Sequence, residues 1–187
     1  MLAKEFYIFD DDLWCLYDDG RNEKITESDV ELVNELIAII MEQYPEAYKA
    51  LSACYQKSAR NIPYYQYLIV RRFCKCNFGV LDDSAKDVDS SGVFHFERVS
   101  CPLRGECKYE GIICGASFCS KLTPAEERVA VLYHQGSRIE EISDKLYLSP
   151  NTIRNHIKSI YRKLGVHDIG EFVRYADEHR MFENKQD

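Results

Sequence analysis

The sequence lacks any long apolar run. Its longest unbroken stretch, residues 36–41, holds six apolar residues, far short of the roughly 20 that a membrane-spanning helix needs. A secretory leader is not expected either, because residues 1–12 carry Lys4, Glu5, Asp10, Asp11 and Asp12 where an apolar stretch would have to lie. Proline and glycine are sparse, at 5 and 9 of 187 residues, which excludes collagen-like and low-complexity chains. What remains is ordinary globular material. Hydrophobic residues make up 45% and charged residues 29%, enough for one or two packed domains.

Cysteine is the exception to this sparseness. There are eight, and the expected location is the cytoplasm, where thiols stay reduced. A disulfide framework is therefore not expected, and metal binding or buried free thiols are the readings left. All eight lie before residue 120, and six fall between Cys74 and Cys119. Charge divides at the same place. Residues 121–187 hold eleven residues of each sign, so the net charge of −7 sits in the preceding part. Within the balanced part, residues 149–165 carry Arg154, Lys158, Arg162 and Lys163 and no acid. A local basic strip matters more for nucleic-acid binding than the overall charge.

The pattern predicts a mainly α protein. A helical N-terminal domain, residues 1–119, contains a short β and cysteine-rich loop segment, with its cysteine cluster at 74–119. A four-helix domain follows at residues 120–187. In the first, a short strand is expected within residues 1–18 and a turn at Asp18-Asp19-Gly20. Helices are expected from about residue 28 to Gln43, from Pro45 to about Arg60, and from about Tyr64 to Lys75. Cys15 and Cys54 are expected in the core. Residues 81–92 read as a solvated acidic loop. Asp87, Asp89, Ser91 and Gly92 imitate the opening of a calcium loop, but Arg98 stands where a bidentate glutamate is required. Residues 93–100 alternate and predict a short strand. Paired aspartates after an apolar run at residues 6–12 superficially suggest a phosphoacceptor receiver, yet the chain near residue 50 reads as helix where a receiver needs a second strand-ending aspartate.

The cysteine cluster offers soft ligands for zinc or iron–sulfur, and a tetrahedral site needs four. Cys101 precedes Pro102, Gly105 precedes Cys107, and Gly111 and Gly115 flank Cys114, so three thiols lie on turns. Cys76 shares a helical face with Ile69 and Phe73. Cys76, Cys101, Cys107 and Cys114 are the expected ligands of a structural zinc ion, with Cys74 and Cys119 in reserve. The competing reading is a small core lined with free cysteines. No nucleophile–base order is evident, and an enzyme is not expected.

The C-terminal stretch is the most informative. Thr123 with Glu126 forms a capping box, with Pro124 at the first helical position. A second helix is expected at about residues 138–146. A third starts at Ser149-Pro150, with Ile153, Ile157, Ile160 and Leu164 on one face and Gly165 as its stop. A fourth, at about residues 168–179, carries Phe172, Val173 and Ala176 inward, with Arg174, Tyr175 and Glu178 outward. Two short helices joined at Tyr147-Leu148 read as a helix-turn-helix. The outward residues of the third helix, Asn151, Thr152, Arg154, Asn155, Lys158 and Arg162, are the types that reach base edges and phosphates.

These residues carry a family resemblance. Leu122-Thr-Pro-Ala-Glu126, Glu141-Ile142-Ser-Asp-Lys-Leu146, Leu148-Ser149-Pro-Asn-Thr152-Ile153-Arg-Asn-His156-Ile157-Lys158 and Lys163-Leu164-Gly165-Val166 resemble the LuxR/FixJ-type helix-turn-helix of bacterial transcription regulators. Ser143 departs from the alanine common in that family's second helix. The resemblance covers about a third of the chain. It implies a four-helix domain that binds double-stranded DNA through its third helix and often forms a homodimer through its fourth. The expected function is a sequence-specific transcription regulator whose N-terminal domain assembles or senses. The alternative is a thiolate metalloprotein sensor, iron–sulfur or redox-responsive, with DNA binding as its output.

Overall fold

The computed structural model describes residues 3–79, 81, 86–90 and 92–182. The chain divides into two compact units, Met1–Ser117 and Phe118–Asp187.

The first unit opens with an antiparallel meander of β1 (Lys4–Phe9), β2 (Asp12–Tyr17) and β3 (Asn22–Ile25). β1 and β2 pair from Lys4↔Tyr17 to Phe9↔Asp12. The aspartates that suggested a phosphoacceptor form the corner between these strands. Asp10 and Asp11 both have positive φ, 51° and 62°, as a two-residue hairpin turn requires and as Asp tolerates. The sequence predicted one strand here, and the structure has three short ones. Helices α1 (Val30–Gln43), α2 (Pro45–Cys54) and α3 (Ile62–Asn77) follow, with a short 3₁₀ turn at Gln56–Ser58 after α2.

The second helix was expected to reach Arg60 but ends at Cys54. Ala47 and Leu51 are buried, whereas Cys54 lies exposed in the last turn. The expectation of a core Cys54 is therefore corrected: the inward stripe runs i to i+4 and stops before it. Cys15 is buried, and burial pushes its thiol pKa up to about 12.

Leu36 and Ile40 of α1, Leu51 of α2, Ile69 and Phe73 of α3, and Phe6, Leu13 and Ile25 of the sheet form the core. An aromatic cluster completes it. Tyr44 stacks on Phe94 at 5.8 Å, and Phe73 meets Phe94 and Phe96 at 5.6 and 5.7 Å. The expected strand at 93–100 is not one; its pairing is limited to an isolated bridge, Val88↔Phe94. The alternation nonetheless reports burial correctly, because Phe94 and Phe96 of this extended segment both turn inward.

The acidic loop also departs from expectation. Asp87 is buried, and its carboxylate accepts the Phe6 N–H at 2.6 Å. Val88 exchanges two backbone hydrogen bonds with Lys4, at 2.8 and 3.0 Å. This part of the loop is an addition to the edge of β1, so it is not solvated throughout. Residues 82–85 and 91, which belong to the same expectation, lie outside the described residues.

The second unit consists of α4 (Pro124–His134), α5 (Ile139–Leu146), α6 (Pro150–Leu164) and α7 (Ile169–Glu178). The starts of α4, α6 and α7 are capped by side chains. Thr123 accepts from the Glu126 N–H, Ser149 from Thr152 and Asp168 from Glu171, satisfying amides that a helix start leaves open. Gly165, at φ 70°, ends α6 in the left-handed conformation. Tyr147 ends α5 in the same conformation at φ 54°, with its side chain exposed. Val129, Ile142, Ile153, Ile160 and Phe172 are fully enclosed in one core.

Candidate nucleic-acid interface and cysteine cavity

On α6 the apolar and polar faces separate cleanly. Ile153, Ile157, Ile160 and Leu164 are buried. Asn151, Arg154, Asn155, Lys158 and Arg162 are exposed, and Thr152 is half-buried. Thr152 is partly committed to capping, since its hydroxyl lies 2.8 Å from the Ser149 hydroxyl. Arg162 leans toward the Ser159 hydroxyl at 3.4 Å. Arg154, Asn155 and Lys158 therefore form the outward centre of the helix, spaced one and three residues apart on a single face.

Lys163 belongs to the same basic strip in sequence but serves the fold. Its ammonium lies 2.6 Å from the Glu126 carboxylate. Glu126 is only 5% exposed and also accepts the Ser159 hydroxyl at 2.7 Å and the Thr123 N–H at 2.7 Å. Burial alone raises the pKa of this carboxyl. The hydrogen bonds from Lys163, Ser159 and Thr123 outweigh burial and hold it down at about 2. One side chain thus caps α4 and fastens α6 across it.

Ser143 finds a use for the hydroxyl that alanine would lack. It donates to the Leu148 carbonyl, while the Leu148 N–H donates to the Ser143 carbonyl at 3.1 Å. The link closes the turn between α5 and α6 from both sides.

On α7, Phe172 and Ala176 are buried, and Arg174 and Glu178 are exposed as expected. Tyr175, expected outward, is half-buried; its ring stacks on His179 at 4.1 Å and meets Phe118 at 6.2 Å.

In the first unit, an open cavity of about 470 Å³ is lined by Cys76, Cys101, Cys107 and Cys114. Cys101 is exposed, and the other three are half-buried. Cys74, one of the reserves, is instead fully enclosed in the core, where burial pushes its pKa well up. Cys119 falls in the second unit. Burial also raises Cys76. A hydrogen bond from Arg72 opposes this, and the nearby Cys114 and Cys101 add to it.

Asn77, next to Cys76, holds this cavity together. It is 0% exposed, and its amide donates to the Phe73 and Ile113 carbonyls at 2.9 and 2.8 Å. Its oxygen accepts the Gly115 N–H at 3.0 Å. The end of α3 is thereby bolted to both neighbours of Cys114. The intervening loop runs through tight turns: Arg104 N–H to Cys101 O, Cys107 N–H to Leu103 O, Glu110 N–H to Cys107 O, and Gly111 N–H to Cys114 O. Glu110 accepts the Gly105 N–H at 2.6 Å. Gly105 sits at φ 86° with open space where a Cβ would stand, so its backbone conformation, not crowding, is what calls for glycine.

Sequence reasoning missed a third group. Ligand atoms of Glu5, Asp87 and Glu97 lie within 4.8 Å of one another. Lys4 and Glu5 are buried, and Lys4 approaches Glu35 at 3.5 Å. Charged residues at the start of a strand give no sequence signal of such burial. Among the described residues this is the group of three or more His, Cys, Asp or Glu whose ligand atoms come so close; the four cavity sulfurs do not.

The second unit is thus a four-helix, helix-turn-helix module with an exposed basic and amide face. Residues 120–176 match the GerE family model, bacterial regulatory proteins of the luxR family. The C-terminal part of the chain is a LuxR-type helix-turn-helix domain, and the match supports a DNA-binding transcription regulator, a class that is not enzymatic. Comparison with curated proteins and with solved structures returned no match. Among the described residues, no helix is long and apolar enough to cross a membrane.

Proposed function

We propose that this protein is a cytoplasmic, sequence-specific transcription regulator without enzymatic activity. Its α6 enters the major groove of double-stranded DNA, and its N-terminal unit supplies assembly or sensing. The observation that carries this reading is the composition of the outward face of α6. Arg154, Asn155 and Lys158 stand exposed opposite a buried row of isoleucines, within seventeen residues that contain no acid. An ordinary solvated face mixes signs, because like charges on adjacent turns repel. Arg and Asn pair with guanine and adenine edges in the major groove, and Lys neutralises phosphate.

The test is selection of binding sites from random duplex DNA by the full-length protein, followed by binding at several salt concentrations. Enrichment of a defined motif and a steep fall of affinity with salt are expected. An Arg154→Ala/Lys158→Ala double variant that binds like the parent overturns the placement of α6.

A further inference from the structure

We propose that the cavity formed by Cys76, Cys101, Cys107 and Cys114 is the binding site of a [4Fe–4S] cluster, each cysteine ligating one iron. This deepens the reading of the N-terminal unit as the input half of a regulator by naming the group it carries. It concerns Met1–Ser117 alone.

Three observations carry the assignment. First, the eight thiols fall into distinct environments. Cys15 and Cys74 are packed in the core, as free cysteines ordinarily are. Four others line one open cavity, with Cys101 exposed and Cys76, Cys107 and Cys114 half-buried. Thiols gathered at a cavity wall add little to packing, so a core of free cysteines does not account for them.

Second, their spacing favours a cluster over a single ion. A tetrahedral zinc site with Zn–S bonds of about 2.3 Å draws its four sulfurs to about 3.8 Å from one another. Among the described residues, no three of these cysteine sulfurs come within 4.8 Å of one another. They nonetheless line one cavity. A cubane cluster interposes its own iron–sulfide core between the ligands, so its thiolates stand further apart around a larger volume. The cavity of about 470 Å³ provides that volume.

Third, the wall is basic. Arg71, Arg72, Lys75 and Arg104 line the same cavity, against the single lining acid Glu110; Arg71 and Lys75 also pair with Asp11, and Arg104 with Glu110. A cubane with four thiolate ligands is a net anion, and cationic groups and hydrogen bonds to its sulfurs stabilise it. A tetrathiolate zinc site, one zinc dication against four thiolates, is an anion of the same net charge, so the basic wall supports an anionic thiolate site, and the spacing and volume choose the cluster.

The ligation balances simply. Two ferrous and two ferric ions with four sulfides form the core. Each of four thiols loses a proton to solvent and forms one Fe–S bond. No bond of the protein breaks, and no external oxidant or reductant is needed.

The experiment uses the full chain, reduced and under argon, mixed with ferrous iron, ferric iron and sulfide in those proportions and then desalted. The expected result is a brown protein with broad visible absorption and four irons and four sulfides per chain. Alanine in place of Cys76, Cys101, Cys107 or Cys114 loses most of the iron, and the circular dichroism of Cys101→Ala, an exposed position, stays that of the parent. Cys54→Ser and Cys119→Ser retain it. A colourless product, two irons per chain, one tightly held zinc that iron cannot replace, or full iron retention in Cys107→Ala overturns the proposal. DNA binding is scored on the same samples: its loss with the cluster intact counts against the regulator reading only, and its survival in a chain that takes up no iron counts against the cluster only.

Discussion

Lys163, at the end of α6, sets its ammonium 2.6 Å from the carboxylate of Glu126, in the first turn of α4. The same carboxylate takes the Ser159 hydroxyl and the Thr123 N–H. The capping box that starts the domain is therefore also the clamp on the helix proposed to read DNA.

Glu126→Gln should destabilise the C-terminal unit by about 2 kcal/mol, the size of hydrogen bonds to a charged group. The pH dependence has a definite sign. The folded pKa of about 2 lies below the ordinary 4.5, so the stabilisation is complete above about 4.5 and is lost as pH falls through 2. Denaturant melts of parent and Glu126→Gln should differ at pH 6 and converge toward pH 2. A constant difference across that range would show that the carboxylate's charge is not what stabilises.

On DNA, Arg154→Ala and Asn155→Ala should each cost about 1–3 kcal/mol on the selected site and relax preference at one base pair. Lys158→Ala should weaken all sequences alike and lower the salt slope by about 1. Titrations on matched and mismatched duplexes separate the two kinds of loss. A uniform loss for Arg154→Ala would move it to a phosphate.

Arg174 and Glu178 leave an exposed edge on α7, while Tyr175 is held against His179 and Phe118. Pairing of two copies on an inverted repeat should therefore be sensitive to charge reversal at Arg174 and Glu178. Sedimentation on a minimal palindrome should give two chains per duplex. One chain per duplex would remove the homodimer from the model of binding.

Asn77→Ala strips partners from the Ile113 and Phe73 carbonyls and the Gly115 N–H at once. Unmade buried hydrogen bonds of this kind cost about 1–3 kcal/mol each when no water replaces them. The first unit should melt earlier, and protease should cut within residues 101–115 before the C-terminal unit is touched. Equal cutting rates in parent and variant would show that Asn77 does not anchor this loop.

Residue spacing made the second unit legible. Its caps, its i, i+4 isoleucines and its stop at Gly165 are contacts between neighbours in the chain, and a linear pattern records such contacts directly. Ser143 shows the limit of that record. Its position is set by the helix, but its bond to Leu148 depends on how the turn closes. In the first unit, alternation at Phe94 and Phe96 reported which side chains are buried but not whether the segment pairs, because an extended chain alternates with or without a partner strand. The sequence predicts one strand where the meander has three, because the corner at Asp10 and Asp11 shows only in their φ angles.

The sequence by itself determined the helix-turn-helix, its basic face and the segregation of all eight cysteines into the part before residue 120. These depend on composition and on separations of three or four residues. Tertiary structure alone decided that Lys4, Glu5 and Asp87 are buried and that Lys163 clamps Glu126, and it supplied the cavity around Cys76, Cys101, Cys107 and Cys114, a set the sequence had grouped without its surroundings. Those relationships join residues tens of positions apart. The cavity follows from how helix α3 and the loops after it close on one another, through bonds such as those of Asn77, and the clamp from the packing of α6 on α4; no periodicity along the chain encodes either closure.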